Sequence, residues 1–187
     1  MGKIKGARFL LVLVALLGYT PWLRAGDMVG TFAAAKPDHA VVYVETVPGT
    51  FAAQRVKMDQ QNKMFTPYVL PVVRGTTVEF HNSDELQHNV FSVGAEEFNL
   101  GNWTKGIVRE HTFNKLGEVT LLCNVHPEME AYVLVLQNPY FARLDAEGQF
   151  RIADVPAGEY VIKAWYEGKI KKQTVKVSAK GSVKVSF

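Results

Sequence analysis

Seven consecutive residues hold most of the side chains in this chain that could do chemistry: Cys123-Asn124-Val125-His126-Pro127-Glu128-Met129. A thiol, an imidazole and a thioether fall within one short stretch. A second imidazole stands upstream in Gln87-His88-Asn89-Val90-Phe91-Ser92. Thiolate and thioether favour Cu(I), and imidazole suits both oxidation states. Two His, one Cys and a weak axial Met make the ligand set of a mononuclear copper electron-transfer site. The pattern therefore predicts a metal held by His88, Cys123, His126 and Met129, with Glu128 as the alternative fourth ligand. A structural zinc site would need a stronger fourth donor than a thioether.

The other histidines fit that chemistry less well. Alternation in Val78-Glu79-Phe80-His81 puts His81 on the polar face beside Glu79. His111 sits in the hydrophilic Arg109-Glu110-His111, and His39 has no partner in a comparable pattern. The chain has no His-x-His pair for a multicopper oxidase site and no His-Glu-x-x-His for a zinc protease. Trp103, Trp165 and the tyrosines are expected in the core or at its rim. Cys123 is the only cysteine, so no internal disulfide forms. A lone thiol in an oxidising compartment is vulnerable unless something occupies it, and a metal would do so.

The elements that must position these residues read as strands. Val41-Val42-Tyr43-Val44, Tyr68 to Val73, Thr77 to Phe80, Val108 to Phe113, Val119 to Leu122 and Ala131 to Leu136 are β-prone runs separated by turn residues. Short strands at this spacing predict a β-sandwich. Cys123 to Met129 then becomes a loop between two strands. Met58 to Asn62 could form a short turn of helix. A boundary is expected at Gln137-Asn138-Pro139. Beyond it, Tyr140 to Leu144 and Gln149 to Ile152 flank Asp145-Ala146-Glu147-Gly148, a hairpin signal. Tyr160 to Tyr166, Thr174 to Val177 and Val183 to Val185 add further strands. The predicted fold class is all-β, a Greek-key sandwich followed by a small β-sandwich module, with domains at 38–137 and 138–187. The second, at about 50 residues, is close to the lower size for independent folding and is expected to pack against the first.

The N-terminus reads as an export signal over residues 1–25. Lys3, Lys5 and Arg8 precede the apolar run Phe9 to Leu17, with small residues near Ala25. That run is shorter than the roughly 20 residues a membrane span prefers. Leu23-Arg24-Ala25 is a poor cleavage site, so a retained membrane anchor is the alternative. The expected location is periplasmic or secreted. The whole chain has 21 Lys+Arg and 18 Asp+Glu. Four of the cations lie in the signal, leaving 17 against 18. No basic patch argues for a nucleic-acid partner.

The Cys-x-x-His-x-x-Met spacing of Cys123, His126 and Met129, with Pro127 after the histidine, resembles the short ligand loop of the cupredoxins, in particular their plastocyanin and amicyanin-like branch. Val78-Glu79-Phe80 through Asn82-Ser83-Asp84 to His88-Asn89-Val90 is similar to that family's approach to its first histidine. The resemblance covers about Asp38 to Leu136. It implies one type 1 copper ion, single-electron transport between redox protein partners and no enzyme activity. It also implies that Asn89 ties the two ligand segments together and that the His126 ring edge is the electron exit. Pro127 and Met64-Phe65 are candidates for the docking patch. A copper-delivery protein or a copper enzyme subunit using the same site are the alternatives. In the tail, Gly148 to Ile152 with Val155-Pro156-Ala157-Gly158-Glu159-Tyr160 resembles the carboxypeptidase regulatory-like, transthyretin-like β domains, which implies packing or protein contact only.

Overall fold

Alternating apolar side chains build nearly all of this molecule from strands. A computed structural model describes residues 25–187, so the expected export segment lies outside the described residues but for Ala25. The strands are β1 (Ala25–Thr31), β2 (Ala40–Val44), β3 (Arg55–Gln61), β4 (Met64–Thr66), β5 (Val69–Val73), β6 (Thr77–Phe80), β7 (His88–Gly94), β8 (Asn99–Trp103), β9 (Arg109–Thr112), β10 (Gly117–Leu122), β11 (Glu130–Leu136), β12 (Phe141–Arg143), β13 (Gln149–Pro156), β14 (Gly158–Tyr166), β15 (Lys169–Val177) and β16 (Ser182–Ser186). Pro37–His39 forms a single 3-10 turn. The all-β expectation holds.

The first sandwich faces a sheet ordered β5-β11-β10-β7-β8 with one ordered β4-β3-β6-β9. Strand β6 shows why these residues make strands. Val78 and Phe80 are fully buried while Thr77 and Glu79 face outward, a period of two. Met58, Val78 and Phe80 from one sheet meet Val90, Val119, Leu121 and Val133 from the other, with Trp103 and Phe113 in the same core. The expected helical turn at Met58 to Asn62 is strand through Gln61, with Asn62 in the turn that follows. Met58 and Gln60 point inward, and β3 pairs in parallel with β6. That pairing and alternate burial override a weak local helical preference.

The second sandwich pairs a sheet ordered β12-β2-β14-β15 with one ordered β13-β1-β16. Its chain is not contiguous, which differs from domains divided at residues 38 and 138. β2 pairs with β12 and β14, and β1 lies between β13 and β16. The reason lies in β2, whose Val41, Val42 and Val44 are all buried. Val42 and Val44 enter the second core, while Val41 packs with Val69, Leu134, Leu136 and Trp165 between the sandwiches. A strand apolar on both faces needs a layer on each side.

The expected hairpin around Asp145 to Gly148 becomes a corner. The turn forms, with Asp145 Oδ1 accepting the Glu147 and Gln149 N–H groups and Gly148 at φ +75°. The strands it joins then enter different sheets. The joint between the sandwiches is stapled by side-chain amides. Gln137 exchanges two hydrogen bonds with the Val47 backbone, and buried Asn138 donates to Val44 O at 2.9 Å. Trp165, 1% exposed, donates its Nε1–H to Glu118 at 2.6 Å across the same interface. β1 and β16 run so close that a Cβ on Gly30 would stand 1.8 Å from Val185 O.

Candidate metal centre

Neighbouring strands of one sheet carry the candidate ligands to one end of the first sandwich. β10 pairs with β7 up to Leu122↔Phe91, which sets Cys123 beside the start of β7. β10 also pairs with β11, ending at Leu122↔Glu130, so residues 123–129 close a loop tied at both ends. The loop turns through the Met129 N–H, which donates to His126 O at 3.0 Å.

His88, Cys123 and His126 each present a donor atom, and these atoms lie within 4.8 Å of one another. His88 is fully buried, Cys123 is 4% exposed and His126 is half-buried. The two Nδ1 atoms face each other at 3.0 Å, with the rings inclined at 62°. Among the described residues this is the one group of three or more His, Cys, Asp or Glu side chains converging in this way. Met129 is 1% exposed and packs in the same core cluster as Cys123. Glu128 is exposed and outside the converging group.

The surroundings orient these donors. The Asn89 N–H points at Cys123 Sγ at 3.4 Å, and Asn89 Oδ1 accepts the Asn124 N–H at 3.4 Å. Asn89 thus ties the two ligand segments, as the resemblance implies. Its amide is held in turn by Asn99 Oδ1 and Gly101 O, both at 2.9 Å.

Asp84 was not among the expected site residues. Its Oδ2 lies 2.8 Å from His88 Nε2. A carboxylate only accepts, so Nε2 carries the proton and the Nδ1 lone pair faces His126 and Cys123. The same carboxylate accepts the N–H groups of Asn62 at 2.7 Å and Lys63 at 2.9 Å. Both residues have φ of 56°, the left-handed geometry of a two-residue hairpin turn, unfavourable for Lys63. Burial pushes the Asp84 carboxyl up, but the Lys63 N–H, the His88 ring and the Asn62 N–H outweigh it and hold it below the usual carboxylate range.

The remaining histidines are engaged elsewhere. His39 meets Glu167 at 3.0 Å and stacks on Tyr68, His111 meets Glu96 at 2.8 Å, and His81 lies 3.6 Å from Glu79. Around the loop, Val125 and Leu86 are exposed, and Met64 is the most exposed large apolar side chain described, at 57%. Phe65, expected beside Met64 in a surface patch, is instead 3% exposed and belongs to the core, since the two alternate along β4. Beside Met129 a cleft of about 530 Å³ opens between the sandwiches, lined in part by His39, Phe65, Tyr68, Glu128 and Arg143. Below it Glu130 accepts from the Tyr132 hydroxyl at 2.7 Å. Burial and the nearby Glu130 push the Tyr68 hydroxyl up to about 12.

The donor set fits copper. It offers two imidazoles and a thiol, with a thioether buried in the same core cluster, and among the described residues no fourth His, Cys, Asp or Glu of the kind zinc requires joins them.

Comparisons with known proteins give partial likenesses. The protein family described as polysaccharide lyase family 4, domain II, matches residues 125–185. That segment begins inside the ligand loop, and its description differs from the transthyretin-like resemblance of the tail. No curated protein matches the chain. Among solved structures, a purple cupredoxin from Nitrosopumilus maritimus is 25% identical, covering 43% of this chain and 98% of its own, with a TM-score of 0.39. A copper-containing nitrite reductase from Thermus scotoductus is 25% identical over 58% of this chain and 28% of its own, with a TM-score of 0.43. A reduced amicyanin variant is 24% identical over 50% of this chain and 97% of its own, with a TM-score of 0.41. Superpositions at this level carry no functional conclusion, which rests on the side chains themselves.

Proposed function

We propose that this chain is an exported single-copper protein that carries electrons one at a time between redox protein partners and transforms no substrate of its own. The observation that supports this most directly is the convergence of His88, Cys123 and His126 within 4.8 Å at one end of a sandwich. In this assignment His88, Cys123 and His126 would be the principal ligands and Met129 a weaker fourth. Bound copper would supply one-electron chemistry by alternating between Cu(I) and Cu(II).

The chain's own residues do the rest. Asp84 fixes the His88 tautomer, and the Asn89 N–H donates toward the Cys123 sulfur, which orients it. The surrounding core keeps bulk water from His88 and Cys123. His126 is the ligand nearest solvent, and exposed Val125 and Leu86 give its surroundings an apolar surface suited to brief docking. The basic n-region and apolar run at residues 3–17 support placement in the periplasm or outside the cell.

The test is an absorption spectrum of the copper-loaded, oxidised protein. An intense visible band that disappears on reduction is expected, because a thiolate bound to Cu(II) defines such sites. Cys123→Ser should abolish the band and leave the fold in place. A colourless copper(II) form of the wild-type protein would overturn the assignment. A coloured form that exchanges no electrons with redox proteins, yet passes copper to an apoprotein, would favour delivery.

A further inference from the structure

Between Lys163 and Phe187 the chain carries seven lysines and one acidic residue, Glu167. Lys163 is paired with Glu45, and Lys171 lies over the Phe32 ring at 5.5 Å. Glu167 is engaged by His39. Lys169, Lys172, Lys176, Lys180 and Lys184 are exposed and form no ion pair among the described residues. The carboxylate-bearing residue in register with any of them is Glu159, opposite Lys176.

These lysines lie on two edge strands and in the turn between them. β15 is the edge of one sheet of the second sandwich, and β16 is the edge of the other. The two edges are joined where Gln173 Nε2 donates to Ser186 O at 2.8 Å. Val175 and Val177 face the core, so Lys172 and Lys176 point outward, and Lys169 and Lys171 occupy the inward phase at the rim. Val185 also faces the core, so Lys184 points outward from the opposite sheet, and the lysines flank the joined edges from both faces with Lys180 in the turn between them. Lysines on an edge strand also deter pairing with another chain. That role does not account for Lys180, which lies in the turn between the two strands.

Two further observations choose the occupant. Residues 48–136 carry ten acidic side chains against seven basic ones, so the first sandwich is repelled by a surface that attracts the edge. The chain also enters the fold at this edge. The Asp27 N–H of β1 donates to Gly181 O at 3.0 Å, next to Lys180, and the sequence before Ala25 holds the apolar run Phe9 to Leu17.

We propose that the β15–β16 edge docks on the anionic phospholipid headgroups of a bilayer. Clustered lysines bind such surfaces by charge. This inference does not depend on the metal.

The test is co-sedimentation of the full chain with vesicles of phosphatidylcholine alone, and with vesicles of phosphatidylcholine mixed with phosphatidylglycerol. Binding to the mixed vesicles should be at least about tenfold tighter at low salt and should weaken as salt rises. The combined variant K172E/K176E/K180E/K184E should lose that preference, and the same four changed to Arg should keep it. A set changed to Gln gives a second measurement should the Glu set fail to fold, as judged by circular dichroism. The N-terminal segment, with its own Lys3, Lys5, Arg8 and Arg24, is common to all variants, so the difference between the wild type and the Glu set on mixed vesicles isolates the edge lysines. Equal binding to both vesicle types, or wild-type binding by the Glu and Gln sets, would overturn the proposal. So would retention on a soluble polyanion with no binding to mixed vesicles.

Discussion

The Asp84 carboxylate accepts three hydrogen bonds, two from the Asn62–Lys63 turn and one from the His88 ring. Removing it would leave a ring N–H without a partner in a fully buried position and free the imidazole to change tautomer. Asp84→Ala should therefore lower copper affinity about 10- to 100-fold, read by competition with a chelator. Asp84→Asn should lose less, since its amide oxygen still accepts from Nε2. Unchanged affinity in the Ala variant would mean that packing alone holds the ring. The convergence of His88, Cys123 and His126 was legible in the sequence because their types and spacing carry the chemistry, two of them in one loop. Asp84 was not. Its position four residues before His88 in Asn82-Ser83-Asp84 hints at a role, but its other partners arrive from a different strand. Phe65 shows the converse case, an apolar residue whose face is decided only once β4 has a register.

Glu96 works at the scale of elements, joining the turn after β7 to the turn between β9 and β10. Its carboxylate accepts from the Asn114 and Lys115 N–H groups and meets His111. Burial pushes this carboxyl up, but the two N–H groups and His111 outweigh it and leave it below the ordinary glutamate value. A carboxyl so depressed stabilises the fold above its unfolded pKa of about 4.3, and that contribution is lost as pH falls through the lower folded value. Glu96→Gln should be less stable than wild type in denaturant melts at neutral pH, with the gap closing as the solution is acidified below that range. A gap independent of pH would assign the loss to packing. Most strands could be read from alternation, as in β6, or from a continuous β-prone run, as in β11. β3 was harder because Arg55 to Gln61 is polar, and its identity depends on pairing with β6. The turn at Asp145 to Gly148 was legible from its residues, yet no local signal says that the strands flanking it part into different sheets.

For the whole molecule, the discontinuous second sandwich decides what a truncation does. Cutting after Asn138 leaves every proposed ligand in place but strips β2 of β12 and β14, and β1 of β13 and β16. The remainder should aggregate in size-exclusion chromatography, since bare strands beside an uncovered apolar face are sticky. Residues 48–137 alone should be the more soluble fragment, and a monomeric fragment 25–138 would contradict this. This weave was hidden in the sequence because pairing between residues so far apart leaves no periodicity to read. It also imposes an order of events. The first sandwich draws its strands from one unbroken stretch and can close as soon as β11 emerges. β1 appears before it, yet stays without neighbours until β13 emerges, and its other edge stays open until residue 182 comes to lie beside residue 27. β16 therefore closes on the much earlier β1, and a chain that stops before it retains an open seam that a surveillance protease could recognise.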